Sequence, residues 1–139
     1  MTGEPKTLYL DSSALMKLVR TEAESEALEQ WLGERDVLVT SVIGMVEVRR
    51  GFERYADREI SRMRWEIAAD RLRVIKLSET TIESAATVPP ASLKSLDAIH
   101  LATALLLKPE LDAFVVYDRR LAEAATALGL PVSSPGAAT

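Results

Sequence analysis

Four acidic residues carry the chemistry this chain can do. Asp11 directly follows the apolar run Leu8-Tyr9-Leu10, and Asp118 directly follows Val115-Val116-Tyr117. Asp97 comes just after the polar stretch Ser92–Ser95, and Glu47 is embedded in the mostly apolar Val42-Ile43-Gly44-Met45-Val46-Glu47-Val48. Carboxylates that converge repel one another unless a cation neutralises them. Oxygen-only ligands select hard ions such as Mg²⁺ or Mn²⁺. Such a site suits phosphoryl chemistry: one or two ions polarise the phosphate, activate water and stabilise the leaving oxygen, paired ions standing roughly 3.5–4 Å apart.

The remaining inventory removes rivals. There are no cysteines, which excludes disulfides, thiolate zinc sites and cysteine nucleophiles. His100 is the single histidine, so a metal-free ribonuclease with paired histidines as acid and base is also excluded. Flanked by Ile99, Leu101 and Ala104 on a helical pattern, His100 is expected to be structural or incidental. A phosphatase working through an aspartyl-phosphate needs a second Asp two positions after the first, and here that position is Ser13.

The acids also have ordinary explanations. Asp11 and Asp118 could be helix N-caps, Asp97 a first-turn acid favoured by the helix dipole, and Glu47 the surface partner of Arg50 or Arg54. The elements that would carry them favour convergence. Apolar runs predict strands at Thr7–Leu10, Val37–Thr40, Arg73–Leu77 and Ala113–Tyr117, with an edge strand at Pro131–Ser133. Helical spacing predicts helices over Ser12–Arg20, Glu22–Leu32, Ser41–Tyr55, Glu59–Asp70, Thr80–Ala86, Ser95–Leu107 and Arg119–Leu128, with Gly33 and Gly129 as stops. Continuous apolar strands alternating with helices predict an α/β fold, a short parallel sheet of four to five strands flanked by helices. In such sheets ligands bind outside the carboxyl ends of the strands, where Asp11 and Asp118 fall.

A chain of 139 residues with 47% hydrophobic side chains fits one domain with a real core. No stretch approaches the roughly 18 apolar residues of a membrane span, and Met1–Lys6 is short and polar, unlike a secretory signal. A cytoplasmic protein is expected. The net charge of −4 argues at first against a polyanionic partner. Its distribution tells otherwise: residues 49–73 hold 8 arginines against 5 acids, inside a chain that is acidic on both sides. Ion pairs along a solvated helix pair would explain that segment equally well.

In order along the chain, Leu10-Asp11-Ser12-Ser13-Ala14-Leu15-Met16-Lys17-Leu18, then Thr40-Ser41 with Glu47, then Leu96-Asp97-Ala98-Ile99-His100-Leu101-Ala102-Thr103-Ala104, and Tyr117-Asp118-Arg119-Arg120-Leu121 resemble the PIN-domain family, specifically its VapC-type toxins. The resemblance implies a PIN-like nuclease domain over residues 1–133; the small and polar residues of 134–139 are themselves expected to form a disordered tail. It implies a Mg²⁺- or Mn²⁺-dependent endoribonuclease, a homodimer, restrained by a cognate VapB-type antitoxin. Asp11, Glu47, Asp97 and Asp118 would form the metal site and Ser13 would hydrogen-bond within it. Arg49, Arg50, Arg119, Arg120 and Lys17 would hold the RNA backbone. The family often has Thr or Ser two residues before the last acid, and Val116 stands there, so Asp118 would act on the metal either directly or through water. In-line attack by activated water would leave a 5′-phosphate and a 3′-hydroxyl. A PIN-like scaffold that binds RNA or a partner without cutting it is the alternative.

Overall fold

Five short strands lie in one sheet in the order β3-β2-β1-β4-β5, every neighbouring pair parallel. The structure, a computed structural model, describes residues 3–138. The strands are β1 (Thr7–Leu10), β2 (Val37–Ser41), β3 (Leu72–Ile75), β4 (Ala113–Val115) and β5 (Val132–Ser133). The helices are α1 (Ser12–Val19), α2 (Ser25–Trp31), α3 (Val42–Phe52), α4 (Arg58–Arg71), α5 (Glu79–Thr87), α6 (Ser95–Leu106) and α7 (Arg119–Ala127). Each expected element forms, its ends shifted by a few residues at most. A 3-10 turn at Lys108–Glu110 was not expected.

Side chains alternate across a strand, so a sheet covered on both faces needs apolar residues at every position. The two faces divide the strands accordingly. Leu8, Leu10, Leu38, Ala113 and Val115 pack with Ala14, Leu15 and Val19 of α1, Leu28 of α2, Val48 and Phe52 of α3 and Trp65 of α4. Tyr9, Val39, Phe114 and Val116 pack on the opposite side with Leu101 and Ala104 of α6 and Leu121, Ala124 and Ala125 of α7. This double burial is why the strands read as unbroken apolar runs. Only Trp65 and Ser61 of α4 are buried, and its Ile60, Met63 and Ile67 are exposed.

Two stop signals work differently. Gly129 takes φ +82°, and Gly129 N–H donates to Thr126 O, ending α7. Gly33 has no positive φ; its N–H donates to Asp36 Oδ2 at 2.8 Å, and that aspartate organises the turn into β2. The expected disordered tail is instead tied down as far as it is described. Ser134 Oγ donates to Val116 O, Tyr117 Oη donates to Pro135 O at 2.8 Å, and Gly136 sits so close to α2 that a Cβ there would stand 2.6 Å from Ala27 Cβ. The polar and small residues that suggested disorder serve these contacts; Thr139 lies outside the described residues.

Candidate active site

The sheet order reverses at β1. From it the chain proceeds to β2 and β3 on one side, and later to β4 and β5 on the other. The crevice beyond the carboxyl ends of β1 and β4 is therefore the place where this architecture binds ligands. Asp11 follows β1 there and Asp118 lies just past β4. Asp97 sits in the first turn of α6, the helix leading towards β4. Glu47 is in the middle of α3, the helix leaving β2.

Asp11 is the buried member, 1% exposed. Its Oδ1 accepts from Ala14 N–H at 3.0 Å and from Ser13 Oγ at 2.6 Å. The N-cap explanation is thus correct for Asp11 and incomplete, because Oδ2 takes no hydrogen bond among the described residues. Burial pushes the Asp11 carboxyl up to about 6, against the lowering influence of His100, Ser13 and Ala14, with Asp97 adding repulsion. Asp97 is raised as well, by burial first and then by Asp118, with Glu47 also repelling it. The four acids therefore share one negative field.

Asp118 is also a cap: its Oδ1 accepts from Leu121 N–H at 2.9 Å. Val116 is fully buried between the sheet and helices α6 and α7, and the nearby hydroxyl comes from Ser134, directed at the Val116 carbonyl. Ser13 does more than satisfy its own helix. It donates to Asp11 and accepts from Tyr117 N–H at 3.0 Å, joining the β1 and β4 sides of the crevice. Thr40 Oγ1 donates to Leu10 O at 2.8 Å and fixes the end of β2 against β1.

Glu47 has a partner other than Arg50 or Arg54. Its Oε1 lies 2.7 Å from Nε2 of His100, whose ring is fully buried. A carboxylate only accepts, so Nε2 carries a proton. The other ring nitrogen, Nδ1, lies 2.7 Å from Tyr9 Oη. Burial, with Asp11 next, holds the Tyr9 hydroxyl far above its ordinary range, so it keeps its proton. His100 is thus a buried hydrogen-bonding partner of one of the four acids, a contact the sequence reading did not anticipate. Asp97 at i−3 on the same helix face was the available signal.

The cations divide. Arg119 and Arg120 line a cleft of about 220 Å³ with Asp97, Asp118 and Lys94. Lys94 was not singled out from sequence. Arg49 and Arg50 are exposed in the last turn of α3 beside Glu53. Lys17 is engaged elsewhere: it pairs with Glu24 at 2.8 Å and Glu22 at 3.1 Å and lies over the Tyr117 ring. Burial opposes its charge, but Glu24 and Glu22 outweigh that and raise its pKa. It lines a larger groove of about 680 Å³ between α1, α2 and α4 that contains none of the four acids.

Fold and site together define a doubly wound α/β protein with an acidic, arginine-bordered crevice at its switch point. Residues 8–127 match the family model of the PIN domain, and the chain belongs to that family. Among its relatives, Ribonuclease VapC47 of Mycobacterium tuberculosis (strain CDC 1551 / Oshkosh) is 42% identical over 135 residues, 94% of this chain and 98% of that protein. Ribonuclease VapC46 of Mycobacterium tuberculosis (strain ATCC 25618 / H37Rv) is 37% identical over 129 residues, 92% of this chain and 97% of that protein. A toxin–antitoxin complex from Klebsiella pneumoniae contains a chain with TM-score 0.64 and 27% identity, matched over 92% of this chain and 97% of that one. Mycobacterium tuberculosis VapC20, described as a sarcin-ricin loop cleaving toxin, shares the fold with TM-score 0.69 at 17% identity, over 92% of this chain and 99% of that one.

Proposed function

We propose that the chain is a Mg²⁺- or Mn²⁺-dependent endoribonuclease that hydrolyses RNA phosphodiester bonds as the toxin of a type II toxin–antitoxin pair. One observation carries this reading: Asp97 and Asp118 line the crevice beside Arg119 and Arg120, within the field of Asp11 and Glu47. VapC relatives named as ribonucleases, covering nearly the whole chain, support it.

The donor set fits a hard divalent cation in chemistry, being all oxygen, with a buried carboxylate whose Oδ2 is uncommitted. Among the described residues no three acidic or histidine side chains are already close enough to hold an ion. Asp11, Glu47 and Asp97 would hold it, and Asp118 would join directly or through water. Bound there, the ion would polarise the phosphate and lower the pKa of water. Ser13 holds Asp11 by its Oδ1, leaving Oδ2 without a hydrogen bond among the described residues. Arg119 and Arg120 would take the phosphate backbone, with Arg49 and Arg50 extending that track, while Lys17 stays engaged by Glu22 and Glu24. Cleavage leaves a 5′-phosphate and a 3′-hydroxyl.

The partners are RNA, a VapB-type antitoxin and a second copy of the chain. The exposed Ile60, Met63 and Ile67 of α4 leave apolar surface for a protein partner. No helix among the described residues is long and apolar enough to cross a membrane, and an RNA substrate fits a cytoplasmic location. The open arrangement of the acids favours a second reading, a PIN-like module that binds RNA or a partner without cutting. Induced expression of wild type beside Asp97→Asn, followed by mapping of RNA ends, decides between them. Growth arrest and new 5′-phosphate ends with wild type alone support the nuclease; equal toxicity from Asp97→Asn, or 2′,3′-cyclic phosphate ends, contradict it.

A further inference from the structure

The His100 ring is held by Glu47, by Tyr9 and by the close approach of Gly44. Its Nε2 meets Glu47 Oε1 at 2.7 Å, its Nδ1 meets Tyr9 Oη at 2.7 Å, and the Tyr9 ring stands edge-on to it with centroids 5.8 Å apart. The ring edge between the two nitrogens faces α3 at Gly44, where a Cβ would come within 3.3 Å of His100 Cε1. Gly44 lies one turn before Glu47, so the close approach of α3 that admits the ring also brings Glu47 to it. Both Tyr9 and His100 are 0% exposed. Tyr9 is two residues before Asp11, and Asp97 precedes His100 by one helical turn. A single imidazole thus links β1, α3 and α6: Glu47 and Asp97 lie on the two helices, and Asp11 directly follows the strand.

We propose that His100 is a positioning residue: through its Nε2–H it fixes the carboxylate of Glu47 in the orientation a divalent cation requires, an inference that rests on the metal-site reading above. A free glutamate side chain has several rotatable bonds and would lose their freedom on coordinating an ion. In Glu47 the hydrogen bond to the buried His100 ring restricts that freedom before an ion arrives. Hydrogen bonds behind coordinating side chains typically matter by about 10–100-fold in metal affinity or activity. Tyr9 supports the arrangement by engaging Nδ1, which keeps the ring from turning and leaves Nε2 for Glu47.

The test combines Mn²⁺ calorimetry with nitrogen NMR on the one histidine of the full chain. Wild type, His100→Leu, His100→Gln, Tyr9→Phe and Asp97→Asn are compared after thermal melts establish folding. His100→Leu is expected to weaken Mn²⁺ binding by about 10–100-fold. His100→Gln, which retains an N–H donor, recovers part of that loss, and Tyr9→Phe loses less. The wild-type ring should carry its proton on Nε2, with a resonance that moves in Glu47→Gln. A folded His100→Leu with wild-type Mn²⁺ affinity overturns the inference, provided Asp97→Asn has lost it. A ring protonated on Nδ1 alone overturns it without reference to metal, and so decides even if His100→Leu does not fold. If wild type takes up no Mn²⁺, the metal-site reading fails and this inference falls with it.

Discussion

Ser13 Oγ donates to Asp11 Oδ1 over 2.6 Å while accepting from the backbone of Tyr117, so one hydroxyl joins the two strand ends that bound the crevice. A hydrogen bond to a charged group contributes about 1.5–3 kcal/mol, and leaving Tyr117 N–H unpartnered adds a further cost. Ser13→Ala should therefore destabilise the fold by about 2–3 kcal/mol in urea unfolding. It should also weaken Mn²⁺ binding, because Asp11 loses its lateral hold. Wild-type stability in this variant would show that the hydroxyl is replaceable by water.

Asp11 should make the metal-free protein less stable as pH rises. Its carboxyl is raised to about 6 in the fold, from 3.8, so the folded state holds the proton longer than the unfolded chain does. Below about pH 4 both states are protonated and no penalty exists; between there and about pH 6 stability falls. The full penalty at neutral pH is on the order of 3 kcal/mol. Asp11→Asn keeps a capping oxygen and removes the charge. The stability difference between it and wild type should grow from near zero at pH 4 to favour the mutant at pH 7, while cleavage is lost. A difference independent of pH would contradict this account of Asp11. Mn²⁺ at neutral pH should restore the wild type.

At Asp118, capping and charge can be separated. Asp118→Asn retains an acceptor for Leu121 N–H, whereas Asp118→Ala removes it and should cost about 1 kcal/mol of stability. Both should reduce cleavage. If Asp118 acts through water, the two should lose far less Mn²⁺ affinity than Asp97→Asn does; equal losses would place it on the metal directly.

Gly44→Ala should destabilise even though alanine is the better helix former by about 1 kcal/mol. The added Cβ would lie 2.4 Å from Thr40 Oγ1 and 3.3 Å from His100 Cε1. Displacing Thr40 also strains its bond to Leu10 O. The expected loss is about 1–3 kcal/mol, as for other overpacked cores. A gain in melting temperature would show that α3 can move away at no cost.

The sheet was legible because burial on both faces forces runs such as Leu8-Tyr9-Leu10 and Phe114-Val115-Val116, and the acids after them mark the strand ends. Asp11 and Asp118 turned out to be both caps and crevice acids, since a capping carboxylate spends one oxygen and keeps another. The role of His100 was not legible, because its meeting with Glu47 spans 53 positions and depends on how closely α3 approaches α6 at Gly44. The tail misled for a related reason: Ser134 and Gly136 look like loop composition until Val116 O and Ala27 are placed beside them. Lys17 misled because the residues that claim it, Glu22 and Glu24, lie in the next turn of chain rather than at the site.

Metal-dependent cutting of RNA is the activity proposed for the acidic crevice. The most direct measurement is the cleavage of total RNA by purified protein with Mn²⁺, with EDTA, and with Asp97→Asn in place of wild type, reading the chemistry of the new ends. New 5′-phosphate ends are expected from wild type with Mn²⁺ and none from the other two arms. Undiminished cleavage in EDTA, or by Asp97→Asn, would contradict the proposed activity.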